Sequence, residues 1–197
     1  MRILFATGNE NKVSEACSIL GPLGYQVETL MVNGIKPELI EPQADGIEAV
    51  ALSKIEQALD LVKGTQLEGS MILVEDSGLF IQSLGGFPGP YSSFVEKTIG
   101  LSGILRLMSN EPAREAEFRA VAVISGPGFT FTGSGKSPGE ISNEVIGKMG
   151  FGYDPIFIPH EGDGRTCGEL SPEEKSSISH RAKALKAVSE FLNPPSK

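Results

Sequence analysis

Met71-Ile72-Leu73-Val74-Glu75-Asp76-Ser77-Gly78-Leu79, running on through Gly85-Gly86-Phe87-Pro88-Gly89-Pro90-Tyr91-Ser92, is the stretch on which the fold of this chain turns. The apolar run from Met71 to Val74 predicts a short buried strand, and it hands two adjacent carboxylates to a Ser-Gly turn. Successive strand residues point to opposite faces, so Glu75 and Asp76 aim different ways, one into a cleft and the other toward a second charge or solvent. Carboxylates at the end of a buried strand need a cation. On these residues alone two readings stand side by side: a polar strand end at which Asp76 and Ser77 open a turn, and a metal site.

A chain of 197 residues is long enough for a sizeable core and is expected to fold as one unit. Its 17 basic against 25 acidic residues give a formal charge of −8, which argues against a polynucleotide-binding surface but allows a small anionic substrate met by a few converging cations. Cys17 and Cys167 form no CxxC pair, and with His160 and His180 the only histidines, no zinc site is expected. So few cysteines predict a reducing, cytoplasmic compartment. The first apolar run, Ile3 to Ala6, is too short for a secretory signal, and no run approaches the roughly 20 apolar residues of a membrane span.

Upstream of the central stretch, residues 2–6 predict a buried strand, Thr7-Gly8-Asn9-Glu10-Asn11-Lys12 a polar turn, and 13–20 an amphipathic helix closed by Gly21-Pro22. The free N–H groups of such a helix start, with the Lys12 charge, suit an anion, so a phosphate cradle is favoured over a plain cap by Asn9 or Asn11. The spacing is neither that of a Walker loop nor that of a dinucleotide fingerprint. A second strand is expected over 25–32, then a loop holding Glu41-Pro42-Gln43, then a helix over 46–62 with Asp45 and Glu48 as a capping box. Ile47, Ala51, Ile55, Ala58 and Val62 form its core stripe, with Lys54 off the stripe and solvated.

Downstream, 79–82 predicts another strand, 85–90 a rigid turn-rich loop, and 93–109 one or two short helices. A hairpin is expected from 117–125 and 129–132 across Gly126-Pro127-Gly128, with Gly133-Ser134-Gly135 as a plain turn and 139–146 as a further strand. Gly150-Phe151-Gly152-Tyr153-Asp154-Pro155 puts two rings and a carboxylate on a turn entering a strand; the rings either stack on a flat ligand or belong to the core. Ser171-Pro172-Glu173-Glu174 is a strong helix start. It leads through Lys175 to Ser179-His180-Arg181 and a last helix, with Ala182, Leu185, Val188 and Phe191-Leu192 inward and Pro194-Pro195 as the stop. Cations at the first turn of that helix are misplaced against its dipole unless a polar ligand sits there.

Five of these segments together resemble the Ham1 family of inosine triphosphate pyrophosphatases, which hydrolyse non-standard purine nucleoside triphosphates to the monophosphate and pyrophosphate. Thr7-Gly8-Asn9 with Lys12, Glu41-Pro42-Gln43, Glu75 to Leu79, Gly150 to Asp154, and Lys175 with Ser179-His180-Arg181 carry the resemblance, which spans nearly the whole chain. It differs from the family pattern at Ile146, where an arginine is usual, at Glu75, where many relatives have Asp, and over Ser92-Ser93-Phe94-Val95. The resemblance implies an α/β fold with a long, curved mixed β-sheet flanked by helices, two lobes with the active-site cleft between them (the smaller near 85–145), and a homodimer. It implies Mg²⁺ held by Glu41 and Asp76, with Glu75 as a further ligand or support, and Asp76 as general base. Thr7, Gly8, Asn9, Lys12, Lys54 and Lys175 would hold phosphates, with Ser77 also on the substrate. Phe151, Gly152 and Tyr153 would flank the base, His180 and Arg181 donate to its O6, and Asp154 or its neighbouring backbone accept from N1–H. A nucleotide sensor that does not cleave would have no need of Glu41 and Asp76 together, and a pyrophosphatase for modified pyrimidines would lack the FGYD and SHR elements.

Overall fold

Eleven consecutive residues, Met71–Ile81, form one strand (β3), buried on both faces except at Met71 and Ser77. The Ser-Gly turn expected at 77–78 does not form, and the two short strands predicted on either side of it are one. The reason is steric: a Cβ on Gly78 would overlap Gly89 O, so this glycine serves the close approach of another backbone segment rather than a reversal of the chain. Gly133 is the same case. Gly133-Ser134-Gly135 lies inside β5 (Phe129–Ile141), and a Cβ on Gly133 would overlap Ala184 O of the last helix. From Gly133 on, β5 alternates strictly between buried and exposed positions, with Gly133, Gly135, Ser137 and Gly139 inward.

The computed structural model describes residues 1–194. Its order is β1 (Arg2–Phe5), α1 (Glu10–Leu20), β2 (Gln26–Thr29), α2 (Ile47–Val62), β3, α3 (Ser92–Leu107), β4 (Glu115–Gly126), β5, β6 (Phe157–Pro159), α4 (Pro172–Ile178) and α5 (His180–Leu192). The six strands make one mixed sheet in the order β2-β1-β3-β4-β5-β6. β1 runs parallel to β2 and β3, and β5 antiparallel to β6. The expected α/β class with a mixed, helix-flanked sheet is therefore what the chain adopts.

Several boundaries move. α1 begins at Glu10, so Lys12 sits in its first turn rather than ahead of it. The strand expected over 25–32 shortens to Gln26–Thr29. Of the strand expected over 139–146, only residues up to Ile141 remain, as the end of β5. The capping box at α2 is absent, because Gly46 is the residue at the cap and Asp45 lies one position too early. Lys54 is buried, not solvated: it follows Ile47 by seven residues and precedes Ala58 by four, which places it on the inward stripe. The Ser171–Glu174 box is present as expected. α3 contains a non-helical Gly100, with φ of +65°, that divides it into two helical pieces. Pro195, expected to help stop α5, lies outside the described residues.

The chain divides into two compact units, whose boundaries fall inside β3, β4, β5 and α5. The first comprises residues up to Asp76, Val121–Ser134 and the chain from Ala182 onward. Its buried residues include Ile3 to Phe5, Ala16, Leu20, the inward face of α2, Ile72 to Val74, Val121 to Ile124, and Ala184, Leu185 and Val188. The second comprises Ser77–Ala120 and Gly135–Arg181. Leu79, Ile81, Val95, Ile104, Met108, Phe118, Tyr153, Ile156 and Phe157 pack in its core. No helix among the described residues is long and apolar enough to cross a membrane.

Candidate active site

In the first unit, two carboxylates on adjacent residues of β3 each meet a lysine. Glu75 and Asp76 are both buried, at 3% and 5% exposure. Lys12 Nζ lies 2.5 Å from Glu75 Oε2 and also donates to Glu75 O at 3.3 Å. Lys54 Nζ donates to Asp76 Oδ1 and to Glu41 Oε1, both at 2.6 Å. Glu41 reaches Lys54 from the loop before α2 with its side chain half exposed. Asp76 Oδ2 is different: it is buried and accepts no hydrogen bond among the described residues.

Lys12 meets Glu75, and Lys54 is shared between Asp76 and Glu41. Burial pushes the Asp76 carboxyl above its ordinary range despite the pull of Lys54 and Lys12, and Glu75 adds to the rise. Burial works against the Lys54 ammonium too, but the Asp76 and Glu41 carboxylates outweigh it and hold that pKa above the usual lysine value.

The polar turn before α1 is a formed cap. Asn9 Oδ1 accepts from Asn11 N–H at 2.9 Å and Lys12 N–H at 3.4 Å, and Thr7 Oγ1 accepts from Asn9 N–H at 3.1 Å. The cap that the sequence ranked second therefore occupies some of the donors that a phosphate cradle would use. Gly8 is exposed, with open space where a Cβ would stand.

In the second unit, cations gather on a ring. Lys175 Nζ stands 4.6 Å and Arg181 Cζ 5.3 Å from the Phe151 ring centroid, within the range of cation–π attraction. Asp154 Oδ2 accepts from Phe151 N–H at 2.7 Å and from Lys175 Nζ at 2.6 Å, so the carboxylate expected to face a base instead fixes the ring and the ammonium. Gly150 has φ of +73°, and a Cβ there would overlap that carboxylate. Arg181, 2% exposed at the start of α5, donates through Nη2 to Ser77 Oγ at 3.2 Å. His180 stacks on Phe118, centroids 4.7 Å apart and planes 13° apart. Gly152, on the same turn, is half-buried with φ of +60°.

Of the two rings expected to stack on a flat ligand, only Phe151 is partly accessible. Tyr153 is a core residue whose hydroxyl donates to Ser92 O at 2.8 Å, and burial, with Glu96 next, raises its pKa. Cys167 is buried, and burial followed by the nearby Asp154 pushes its thiol up to about 12, which rules it out as a thiolate nucleophile near neutral pH. Ile146, in place of an arginine, is held by its backbone: its N–H donates to Pro155 O and its carbonyl accepts from Thr166 Oγ1. Reading by residue type passed over Phe118 and Ser92. Phe118 carried a signal, the alternation of β4, whereas Ser92 stood out only as part of the departure from the family pattern over 92–95.

The clusters hold carboxylates, ammoniums, a guanidinium and an aromatic face, the groups that bind a metal–phosphate unit and a planar base. No group of three or more His, Cys, Asp or Glu side chains gathers as a ready-made metal cage among the described residues. A cation that keeps most of its ligands from water and phosphate needs only one or two carboxylates.

A family model described as the Ham1 family matches residues 3–191. The chain is 47% identical over 192 residues to a dITP/XTP pyrophosphatase of Pyrococcus horikoshii, covering 98% of this chain and 97% of that one. It is 46% identical over 194 residues to a dITP/XTP pyrophosphatase of Methanopyrus kandleri, covering 97% and 96%. Among solved structures it resembles a HAM1 protein from Coxiella burnetii, with a TM-score of 0.83, 30% identity and 98% of each chain covered. The Staphylococcus aureus Ham1 protein matches over 100% of both chains with a TM-score of 0.81 and 28% identity.

Proposed function

The chain belongs to the Ham1 family, and from that premise we propose that it hydrolyses non-standard purine nucleoside triphosphates (ITP, dITP and XTP) to the nucleoside monophosphate and pyrophosphate. The observation that carries this reading is the buried Asp76 carboxylate, held by Lys54 on one oxygen and, among the described residues, without a donor on the other. The relatives named above are enzymes, which favours cleavage over a nucleotide sensor.

The residues fit a hard divalent cation, since a buried carboxylate oxygen with no donor among the described residues is what such an ion satisfies. Mg²⁺ would be held by Glu41 and Asp76 with Glu75 beside them, and when bound it would supply charge neutralisation on the phosphate oxygens. Asp76, with its pKa raised, takes the proton from the attacking water as general base. Lys12 and Lys54 hold the phosphates from the carboxylate cluster, and Thr7, Gly8 and Asn9 flank them at the start of α1. Such transfer depends mostly on positioning and electrostatics, and these are the groups that supply both.

Base choice falls to the second cluster. Hypoxanthine and xanthine present an O6 acceptor, whereas adenine presents a donor at that position. Arg181 and His180 are donors, so adenine would set donor against donor and leave buried polar groups unpaired. Ser77 takes part through its link to Arg181, Phe151 and Gly152 line the base, and Asp154 and Tyr153 hold that turn in place. The active form we propose is a homodimer in the cytoplasm.

Purified protein with Mg²⁺ and a panel of ITP, dITP, XTP, GTP and ATP, with products identified, tests the reading. Inosine or xanthosine monophosphate plus pyrophosphate is expected, with ATP nearly inert. Release of orthophosphate and a diphosphate would overturn it.

A further inference from the structure

On β3, past Ser77, main-chain donors of alternate residues are taken by segment 87–92: Leu79 N–H donates to Ser92 Oγ at 2.8 Å, Ile81 N–H donates to Phe87 O at 3.2 Å, and Phe80 bridges Pro88. The hydroxyl of Ser92 therefore does the work of a missing strand carbonyl. It is buried, donates in turn to Gly89 O at 2.7 Å, and sits so close that a Cβ on Gly78 would come 3.0 Å from it. The Ser92 carbonyl accepts the Tyr153 hydroxyl at 2.8 Å. One small residue thus joins three segments through three hydrogen bonds.

We propose that Ser92 is a positioning residue, which ties Ser77–Leu79 to the 150–154 turn and so holds the chain next to Asp76 in register with Phe151 and Asp154. Ser77 follows Asp76 by one peptide bond and meets Arg181, so a shift of Gly78 and Leu79 reaches Arg181 through the Ser77 hydroxyl and Asp76 along the chain. The proposal rests on the roles given above to Asp76 and to Phe151–Arg181. Buried donors and acceptors that are fully paired keep a segment within the tolerance that catalysis needs.

Three variants test it by steady-state kinetics with ITP and ATP, well below their melting temperatures. Ser92→Ala removes the hydroxyl, Tyr153→Phe removes only the bond to the Ser92 carbonyl, and Ile104→Val lightens the core of the same unit without touching the link. Ser92→Ala is expected to lower kcat for ITP about tenfold and Tyr153→Phe to raise KM about three- to tenfold, both reducing the preference for ITP over ATP. Ile104→Val should lower the melting temperature and leave kcat, KM and preference within about twofold. Unchanged kcat and preference in Ser92→Ala, or equal losses in Ile104→Val, would overturn the proposal. Should Ser92→Ala fail to fold, unchanged KM and preference in Tyr153→Phe overturn it alone.

Amide hydrogen exchange reads the link without any assay of activity. The Leu79 amide should be protected in the wild type and lose protection in Ser92→Ala, with Ile81 still protected through Phe87. Fast exchange at Leu79 in the wild type overturns the link itself. A protected Leu79 in a protein that does not cleave ITP would instead overturn the function proposed above.

Discussion

The carboxylate–lysine cluster of the first unit and the cation–ring cluster of the second are built from similar groups to opposite effect. In the first, Glu41, Glu75 and Asp76 outnumber Lys12 and Lys54, and Asp76 Oδ2 is buried with no donor among the described residues. In the second, Lys175 and Arg181 outnumber Asp154, whose Oδ2 accepts two hydrogen bonds while both cations lie against the Phe151 ring. A buried acceptor without a donor is costly, so the first cluster gains by taking up a cation. Donors gathered on a ring face gain by meeting acceptors on a flat partner. Net charge of the chain, −8, shows neither. The sign of each cluster depends on which few groups are buried together.

The largest expected effect breaks the first cluster by removing its ion. Chelating divalent metal should abolish turnover of every substrate, and restoring Mg²⁺ should recover it; turnover that persists in chelator would rule out the metal role. Next is Asp76→Asn, which keeps the shape but not the charge or the proton acceptor, so kcat should fall by at least ~10²-fold with the fold retained. Near-normal kcat in that variant excludes Asp76 as the base.

Arg181→Ala breaks the second cluster. It should lower kcat/KM for ITP by about 10- to 100-fold more than for ATP, along with a drop in melting temperature from the loss of a fully buried side chain. Equal losses on both substrates would make Arg181 a phosphate or packing residue. Gly78→Ala puts a methyl onto Gly89 O and should cost about 1–3 kcal/mol of stability, whereas Gly8→Ala, with open space at its Cβ, should leave the melting temperature near that of the wild type. Equal thermal shifts from the two would refute the close approach at Gly78.

The smallest effect concerns pH. Below the ordinary Asp value of 3.8, Asp76 is protonated in both the folded and the unfolded chain and does not affect stability. As pH rises, the unfolded chain loses this proton first, so the native state loses stability until pH passes the raised folded value. Asp76→Asn avoids that loss, and Lys54 keeps Glu41 as a partner. Its melting temperature should therefore gain on the wild type as pH rises from about 4 and then hold a constant lead. A lead that shrinks with rising pH would show that the Lys54 pairing, not burial, dominates Asp76.

What the sequence by itself determined was local. β1, the stripe on α2, the Ser171–Glu174 box, the hairpin at Pro127-Gly128 and the start of α5 at His180-Arg181 each follow from periodicity or capping within a few residues. The motif residues were legible for the same reason, since residue type and short spacing identify them. Only the tertiary structure decided the rest. Ser77-Gly78 and Gly133-Ser134-Gly135 look like turns because glycine permits turns, yet both lie in strands, because glycine also permits another backbone to come within contact and no neighbouring residue reveals which use applies. Lys54 is buried because two carboxylates, 13 residues before it and 22 after it, meet its ammonium. Asp154 meets Lys175 and Tyr153 meets Ser92, partners distant in sequence that no local pattern indicates. Charge pairing and backbone approach act across space over a few ångströms, and only folding brings such groups that close.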